Sequence, residues 1–234
     1  MAKLYLIPNE ISEEGLTTVP SYVKDIVREL RFFVVEEERG ARRFLKKFVP
    51  ELPLAECTFQ ALNEHSLPKD CQEILNKAGS KDIGIVSESG CPCVADPGRD
   101  LVALGHAQGF EILPLVGPSS ILLALMASGL NGQNFAFNGY LPKEKDERVK
   151  RIKFLEKRSL AEGQTQIFMD TPYRNSHVFE DILSCCEPRT LLCLAIDLNG
   201  KEQFVKTLTV SEWKKQNFSI YKKPALFLIQ AGSK

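Results

Sequence analysis

Three stretches of this 234-residue chain place small and polar residues directly after apolar runs. The first is Val86-Ser87-Glu88-Ser89-Gly90-Cys91-Pro92-Cys93-Val94-Ala95-Asp96-Pro97-Gly98. An apolar strand enters a loop of small residues, and Asp-Pro-Gly then leads into a helix. In an open α/β sheet ligands bind outside the carboxyl ends of strands, and Gly90 and Gly98 let a backbone approach a ligand closely. The stretch reads equally as a small-molecule loop or as a tight structural turn. The second is Leu113-Pro114-Leu115-Val116-Gly117-Pro118-Ser119-Ser120. Pro118 suits the first turn of a helix, and Ser119 and Ser120 fall where free N–H groups point outward. Such a terminus either holds a carboxylate or is simply capped. The third, Ile167-Phe168-Met169-Asp170-Thr171-Pro172-Tyr173-Arg174, is a strand ending in a polar turn that bears an arginine.

Other chemistries find no support. There is no GxGxxG and no GxxxxGK[ST], so the dinucleotide fingerprint and the P-loop are absent. Cys91-Pro92-Cys93 has no second Cys/His cluster at ligand spacing, so no metal is expected and the pair reads as small residues in a turn. Seven cysteines without a secretory signal point to a reducing, cytoplasmic location. His106 and His177 read as ordinary helix residues.

The elements that would position these stretches alternate. Strands are expected at Leu4–Pro8, Arg31–Val35, Ala55–Ala61, Ile83–Ser87 and Phe110–Leu115. Helices are expected at Val19–Leu30, Ala41–Phe48, Cys71–Ala78 and Leu101–Gln108. Strands joined through helices make a mainly parallel, doubly wound sheet the natural solution. A helix over Ser119–Ser128 follows. Beyond it, strands are expected at Phe135–Tyr140, Thr165–Met169, Thr190–Asp197, Glu202–Leu208 and Ala225–Gln230. Helices there are Val149–Leu160, Arg174–Ser184 and Val210–Lys215. The expectation is an α/β protein of two domains: residues 1–115, an α/β unit, and 116–234, a mixed α/β unit with an antiparallel portion.

The 44% hydrophobic and 26% charged shares exclude intrinsic disorder. No apolar run approaches the length of a membrane span, and Lys3-Leu4-Tyr5-Leu6-Ile7 reads as a strand rather than a signal peptide. The 30 basic and 30 acidic side chains cancel overall but not locally. Residues 1–117 hold 13 basic against 18 acidic, residues 118–234 hold 17 against 12, and 143–158 alone hold eight against four. That stretch is either a dock for a polyanion or a solvated helix face.

Taken in order, the loop around residue 90, Asp96-Pro97-Gly98, Gly117-Pro118-Ser119 opening an apolar helix with Ala127-Ser128-Gly129-Leu130, and Thr171-Pro172-Tyr173-Arg174 resemble the tetrapyrrole methylase superfamily. Within it the chain is most similar to the ribosomal RNA small subunit methyltransferase I family. The shared stretches are Leu4–Pro8, Glu36 with Arg39, Val86–Gly98, Pro114–Leu130, Gly139–Lys143, and Tyr173-Arg174 with Glu180-Asp181-Ile182. The chain departs from the family pattern in its opening loop, Asn9–Gly15, and in Asn63-Glu64-His65. It departs again at Glu36–Arg39, in the Glu88-Ser89 pair, and at Asp197–Gly200.

The resemblance implies S-adenosylmethionine as methyl donor, held in a cleft between the two domains, and a cytidine ribose 2′-hydroxyl of small-subunit ribosomal RNA as acceptor. It implies donor contacts from Pro8, Ser87, Glu88, Ser89, Gly90 and Cys91, from Ser119 and Ser120, and from Met169, Ala195 and Leu226. On composition alone the last three read as core. A ribose hydroxyl needs a base nearby; Glu36, Glu37 and His65 are placed for it, and Arg39 and Arg174 are candidates to hold a phosphate. RNA would bind across the catalytic domain, with basic residues at 42, 43, 46, 47 and 143–158 as a rim, and the protein is expected to be a homodimer. Two other readings stay open: a methyltransferase acting on a tetrapyrrole or other small acceptor, and a donor-binding module that has lost catalysis.

Overall fold

The computed structural model describes residues 1–63, 65–220 and 222–232. Glu64 of the 63–65 segment lies outside the described residues. The chain divides into two compact units, Met1–Ser119 and Ser120–Lys234.

The first unit alternates strands and helices: β1 (Lys3–Ile7), α1 (Ser21–Glu29), β2 (Phe32–Val35), α2 (Glu38–Phe48), β3 (Thr58–Ala61), α3 (Pro68–Ala78), β4 (Ile83–Val86), α4 (Arg99–Ala107) and β5 (Glu111–Pro114). The strands form one sheet in the order β3-β2-β4-β1-β5, and each pairing is parallel. Parallel strands need crossovers, and here helices supply them and cover both faces. Side chains alternate along the strands. Ile7, Phe33, Val35 and Val86 pack with α1 and α2, while Leu4, Phe32, Val34 and Ile85 pack with α3 and α4. This two-sided burial is why Phe-Phe-Val-Val is apolar without a break. Its carboxyl ends fall together, because Ile7 pairs with Val86 and Val86 with Val35.

The second unit contains α5 (Ser120–Ser128), β6 (Phe135–Tyr140), α6 (Lys145–Glu162), β7 (Thr165–Met169), α7 (Asn175–Cys185), β8 (Leu191–Ile196), β9 (Phe204–Thr209), α8 (Val210–Trp213) and β10 (Ala225–Gln230). Its sheet has the order β6-β7-β10-β8-β9. Only β6 and β7 run parallel; the other neighbours are antiparallel. One face carries Phe168, Leu194 and Phe227 against α6, α7 and α8. Trp213 is buried there, and its Nε1 donates to the Leu192 carbonyl at 2.9 Å. Between α6 and α7, Arg148 and Asp181 form an ion pair at 2.7 Å with side chains 6% and 5% exposed. Arg148 also donates to the Lys143 carbonyl at 2.7 Å, tying the chain after β6 to the helix pair.

Candidate functional site

In the first unit the loops leaving β1, β2 and β4 meet at one end of the sheet. Asn9 joins two of them. Its side-chain amide donates to the carbonyls of Ser87 (2.9 Å) and Glu88 (3.1 Å). Its backbone exchanges hydrogen bonds with Gly90 at 2.9 and 3.1 Å. Pro8 is buried beside this bridge, and Gly117 closes over it: a Cβ on Gly117 would lie 2.2 Å from the Pro8 Cβ, so only glycine fits. The Cys91 thiol donates to the Pro118 carbonyl at 3.4 Å. Pro8, the loop Ser87–Cys91 and residues 117–118 therefore form one patch. Ser87 is buried and Glu88 exposed. The Ser87 hydroxyl folds the loop, donating to the Ser89 carbonyl and accepting from the Ser89 N–H.

Beside the patch lies a cavity of about 440 Å³ whose walls include Asn9, Glu36, Gly40, Arg43, Ser87 and Glu88. Glu37, at its mouth, caps α2 by accepting the N–H groups of Arg39 (2.7 Å) and Gly40 (2.6 Å). Those two bonds hold its carboxyl below the usual carboxylate range. Glu37 is thus a capping group rather than a base. Lys47 is paired with Glu10 at 2.8 Å. Burial raises the Cys91 thiol, and burial with the nearby Asp96 charge pushes Cys93 up to about 11, so neither sulfur is a thiolate at neutral pH.

The structure brings Glu36 and Glu37 into the cavity wall but not Arg39 or His65. Arg39 and His65 are exposed and line neither this cavity nor the smaller one next to it. Arg174 is also not displayed for a phosphate. Its guanidinium turns back onto Asp170, four residues earlier, at 2.5 Å. Nothing local in the sequence marks Asn9 as a site residue, and the Asp-Pro-Gly after a strand is the available signal for Asp96.

In the second unit, Met169, Leu226 and Ala195 form a row. Leu226 is paired with Met169 on one side and Ala195 on the other, across β7, β10 and β8. They point away from the Phe168–Phe227 face. On their side lies α5, whose Ser128 carbonyl accepts from the Thr207 hydroxyl opposite Cys193. Ser120 opens α5. The row is apolar and ends the strands, which suits a flat ring.

These groups fit a cationic methyl donor. The Glu88 carboxylate forms no ion pair among the described residues, and Glu36 lines the same cavity. A Cβ on Gly40 would lie 3.6 Å from the Glu88 Oε1 and 3.3 Å from the Glu37 Oε2, so glycine keeps the carboxylates uncrowded. Ammonium and sulfonium groups would find opposite charge there, and the Ser87–Cys91 backbone supplies close polar contact. Among the described residues, no group of three or more His, Cys, Asp or Glu side chains is placed to hold a metal ion. None of their helices is long and apolar enough to cross a membrane.

No family model matches the chain. It is 31% identical over 236 residues to the ribosomal RNA small subunit methyltransferase I of Buchnera aphidicola subsp. Schizaphis graminum, spanning 99% of this chain and 79% of that one. It is 28% identical over 210 residues to the protein of the same name from Vibrio cholerae, spanning 89% of this chain and 69% of that one. Among solved structures it is similar in fold to the methyltransferase CobJ, with a TM-score of 0.63 at 19% identity over 99% of this chain and 95% of that one.

Proposed function

Since the chain belongs to the ribosomal RNA small subunit methyltransferase I family, we propose that it methylates a ribose 2′-hydroxyl of small-subunit ribosomal RNA. As a methyltransferase of this type it uses S-adenosylmethionine. The observation that carries the reading is the carboxylate-walled cavity at the carboxyl ends of β1, β2 and β4, set against the Pro8, Ser87–Cys91 patch in a chain so similar to those enzymes.

The bound donor supplies an electrophilic methyl group; the protein's own residues bind and orient. Pro8 and Ser87–Cys91 present backbone and small side chains along the donor, with Glu88 and Glu36 facing its positive charge. In the second unit, taken by itself, the apolar row of Met169, Leu226 and Ala195 is a candidate seat for a flat ring. Fixing hydroxyl and methyl at near-attack distance is the largest contribution such a site can make. Glu36, which lines the same cavity, accepts the hydrogen bond of the attacking hydroxyl.

The RNA rests on phosphate contacts. Lys150, Lys153 and Lys157 of α6 are exposed, and the Arg151 guanidinium lies over the exposed Phe154 ring at 5.3 Å. A homodimer is supported by α5, which is apolar on every side and leaves Leu122 and Met126 exposed.

The test is transfer of labelled methyl to small-subunit particles and to protein-free ribosomal RNA. Label should appear in a dinucleotide that resists alkaline cleavage, because methylation removes the 2′-hydroxyl nucleophile. Label in a base, or in a porphyrinoid offered as competitor and not in RNA, overturns the acceptor assignment. In parallel, Glu88→Ala should weaken donor binding about tenfold by calorimetry, the loss of one charge-assisted contact.

A further inference from the structure

Asp96 lies in the loop after β4, beyond the residues assigned to the donor. With Glu36 it lines a second cavity of about 10 Å³ at the ends of β2 and β4, room for about one water. Glu36 and Val86 belong to the walls of both cavities, so the two adjoin at these residues. Its other walls, Val34, Val35, Leu62, Ile85 and Pro97, are apolar. The titratable groups facing Asp96 are Glu36 from the end of β2, Glu88 from the end of β4 and Cys93 from its own loop. No ion pair engages Asp96 among the described residues.

The backbone is forced to hold it there. Cys93 and Ala95 have φ of 66° and 57°, and Gly98 has φ of 126°. A Cβ on Gly98 would come 2.9 Å from the Cys93 Sγ. Left-handed conformation at non-glycine residues persists only where the surroundings impose it, and it concentrates at functional loops. Burial first, then the like charges of Glu36 and Glu88, raise the Asp96 carboxyl to about 6, while contacts with the Ser87 hydroxyl and the Glu88 N–H offset part of the rise. A buried carboxylate that faces like charges adds nothing to stability. It does gain affinity for a proton near neutral pH, which a base in this reaction requires.

We propose that Asp96, working behind Glu36, takes up the proton that the acceptor hydroxyl loses on methylation. This rests on the hydroxyl-methylating reading given above. The hydroxyl oxygen forms a bond to the methyl carbon. The bond from that carbon to the sulfonium sulfur breaks, with its electron pair remaining on sulfur. The hydroxyl proton passes by way of Glu36 and the water-sized chamber to the Asp96 carboxylate, and from there to solvent. Asp96 is thus a positioning residue and proton store, acting through Glu36 and not on the substrate.

The experiment is single-turnover methyl transfer to small-subunit ribosomal RNA across acid to mildly alkaline pH. It compares the wild type with Asp96→Asn, Asp96→Glu and Glu36→Gln, and follows donor affinity and melting temperature alongside. The wild-type rate should fall along a limb near pH 6 as the carboxylate is protonated. Asp96→Asn should lose about tenfold or more in rate at neutral pH, show no such limb, and bind the donor as before. Asp96→Glu should restore part of the rate together with a limb. Glu36→Gln should lower the rate and move the limb to lower pH, because a like charge is gone. An Asp96→Asn enzyme that keeps the wild-type limb, or loses rate only in step with its folded fraction, overturns the proposal. A wild-type enzyme that transfers no methyl to RNA at any pH overturns instead the hydroxyl-methylating reading, and the role of Asp96 falls with it.

Discussion

Both units hold pairs of non-glycine residues in left-handed backbone, and the two pairs differ in kind. In the second unit, where Lys222 is a third such residue, the pair is Asp197 and Asn199, in the turn from β8 to β9. Asp and Asn tolerate this conformation, and Asp197 uses it: its carbonyl accepts the Gly200 N–H at 2.8 Å and its side chain the Glu202 N–H at 2.9 Å. In the first unit they are Cys93 and Ala95, whose side chains gain nothing from it. The first is a turn built from turn-forming residues. The second is a loop held out of its preferred shape, and it carries Asp96. The difference marks where structure serves the sheet and where it serves the site.

The largest effect that would sharpen this contrast involves neither loop. Arg148→Ala leaves Asp181 buried without its partner and should destabilise the second unit by about 3–5 kcal/mol, seen as a lower denaturation midpoint. Its expected companion is unchanged hydrogen exchange in the first unit's sheet. Asp96→Asn should act in the opposite direction. The folded-state carboxyl, at about 6, lies above its ordinary 3.8. Ionised Asp96 therefore opposes folding: the opposition is absent below the unfolded value and complete above about 6. Asp96→Asn should melt at a higher temperature than the wild type at neutral pH, and the gap should close as pH falls through that window. A gap that widens on acidification would refute the burial argument.

The two smallest changes compare the loops directly. Left-handed backbone costs an L-residue about 1–2 kcal/mol, and glycine's extra freedom when unfolded returns about 0.5–1 of that. Ala95→Gly should then stabilise by up to about 1 kcal/mol, at some expense of methyl transfer. Asn199→Gly should fall within about 0.5 kcal/mol of zero. Equal effects at the two positions, measured by chemical denaturation, would erase the distinction.

Periodicity carried the fold. The expected run of strands and helices appears in order, and the chain divides at Ser119/Ser120 where 115/116 was expected. Ends moved where local chemistry outweighed hydrophobic pattern. The second helix begins at Glu38 and not Ala41, because Glu37, which reads as one more member of a solvated charge run, caps it. The third strand begins at Thr58 and not Ala55, because Leu54–Glu56 form a 3-10 turn. The sixth helix starts at Lys145, four residues before its apolar stripe. In the second unit, the Met169–Leu226–Ala195 row cannot be read from composition: each residue is an ordinary core type, and only strand register sets them side by side. Asn9 escaped for a related reason. Its partners Ser87 and Glu88 are 78 and 79 residues away, and nothing local to Pro8-Asn9-Glu10 announces them.

That distance bears on how the enzyme comes into being. The Asn9 bridge joins the first strand to a loop made much later in synthesis, so no stable version of the Ser87–Cys91 loop precedes the pairing of β1 with β4. A chain emerging from the ribosome has the sequence of its site long before it has the site. The Gly90 N–H, bonded to the Asn9 carbonyl at 3.1 Å, becomes a natural timer: its protection from solvent exchange during refolding dates the moment at which the Ser87–Cys91 loop is first held against the first strand.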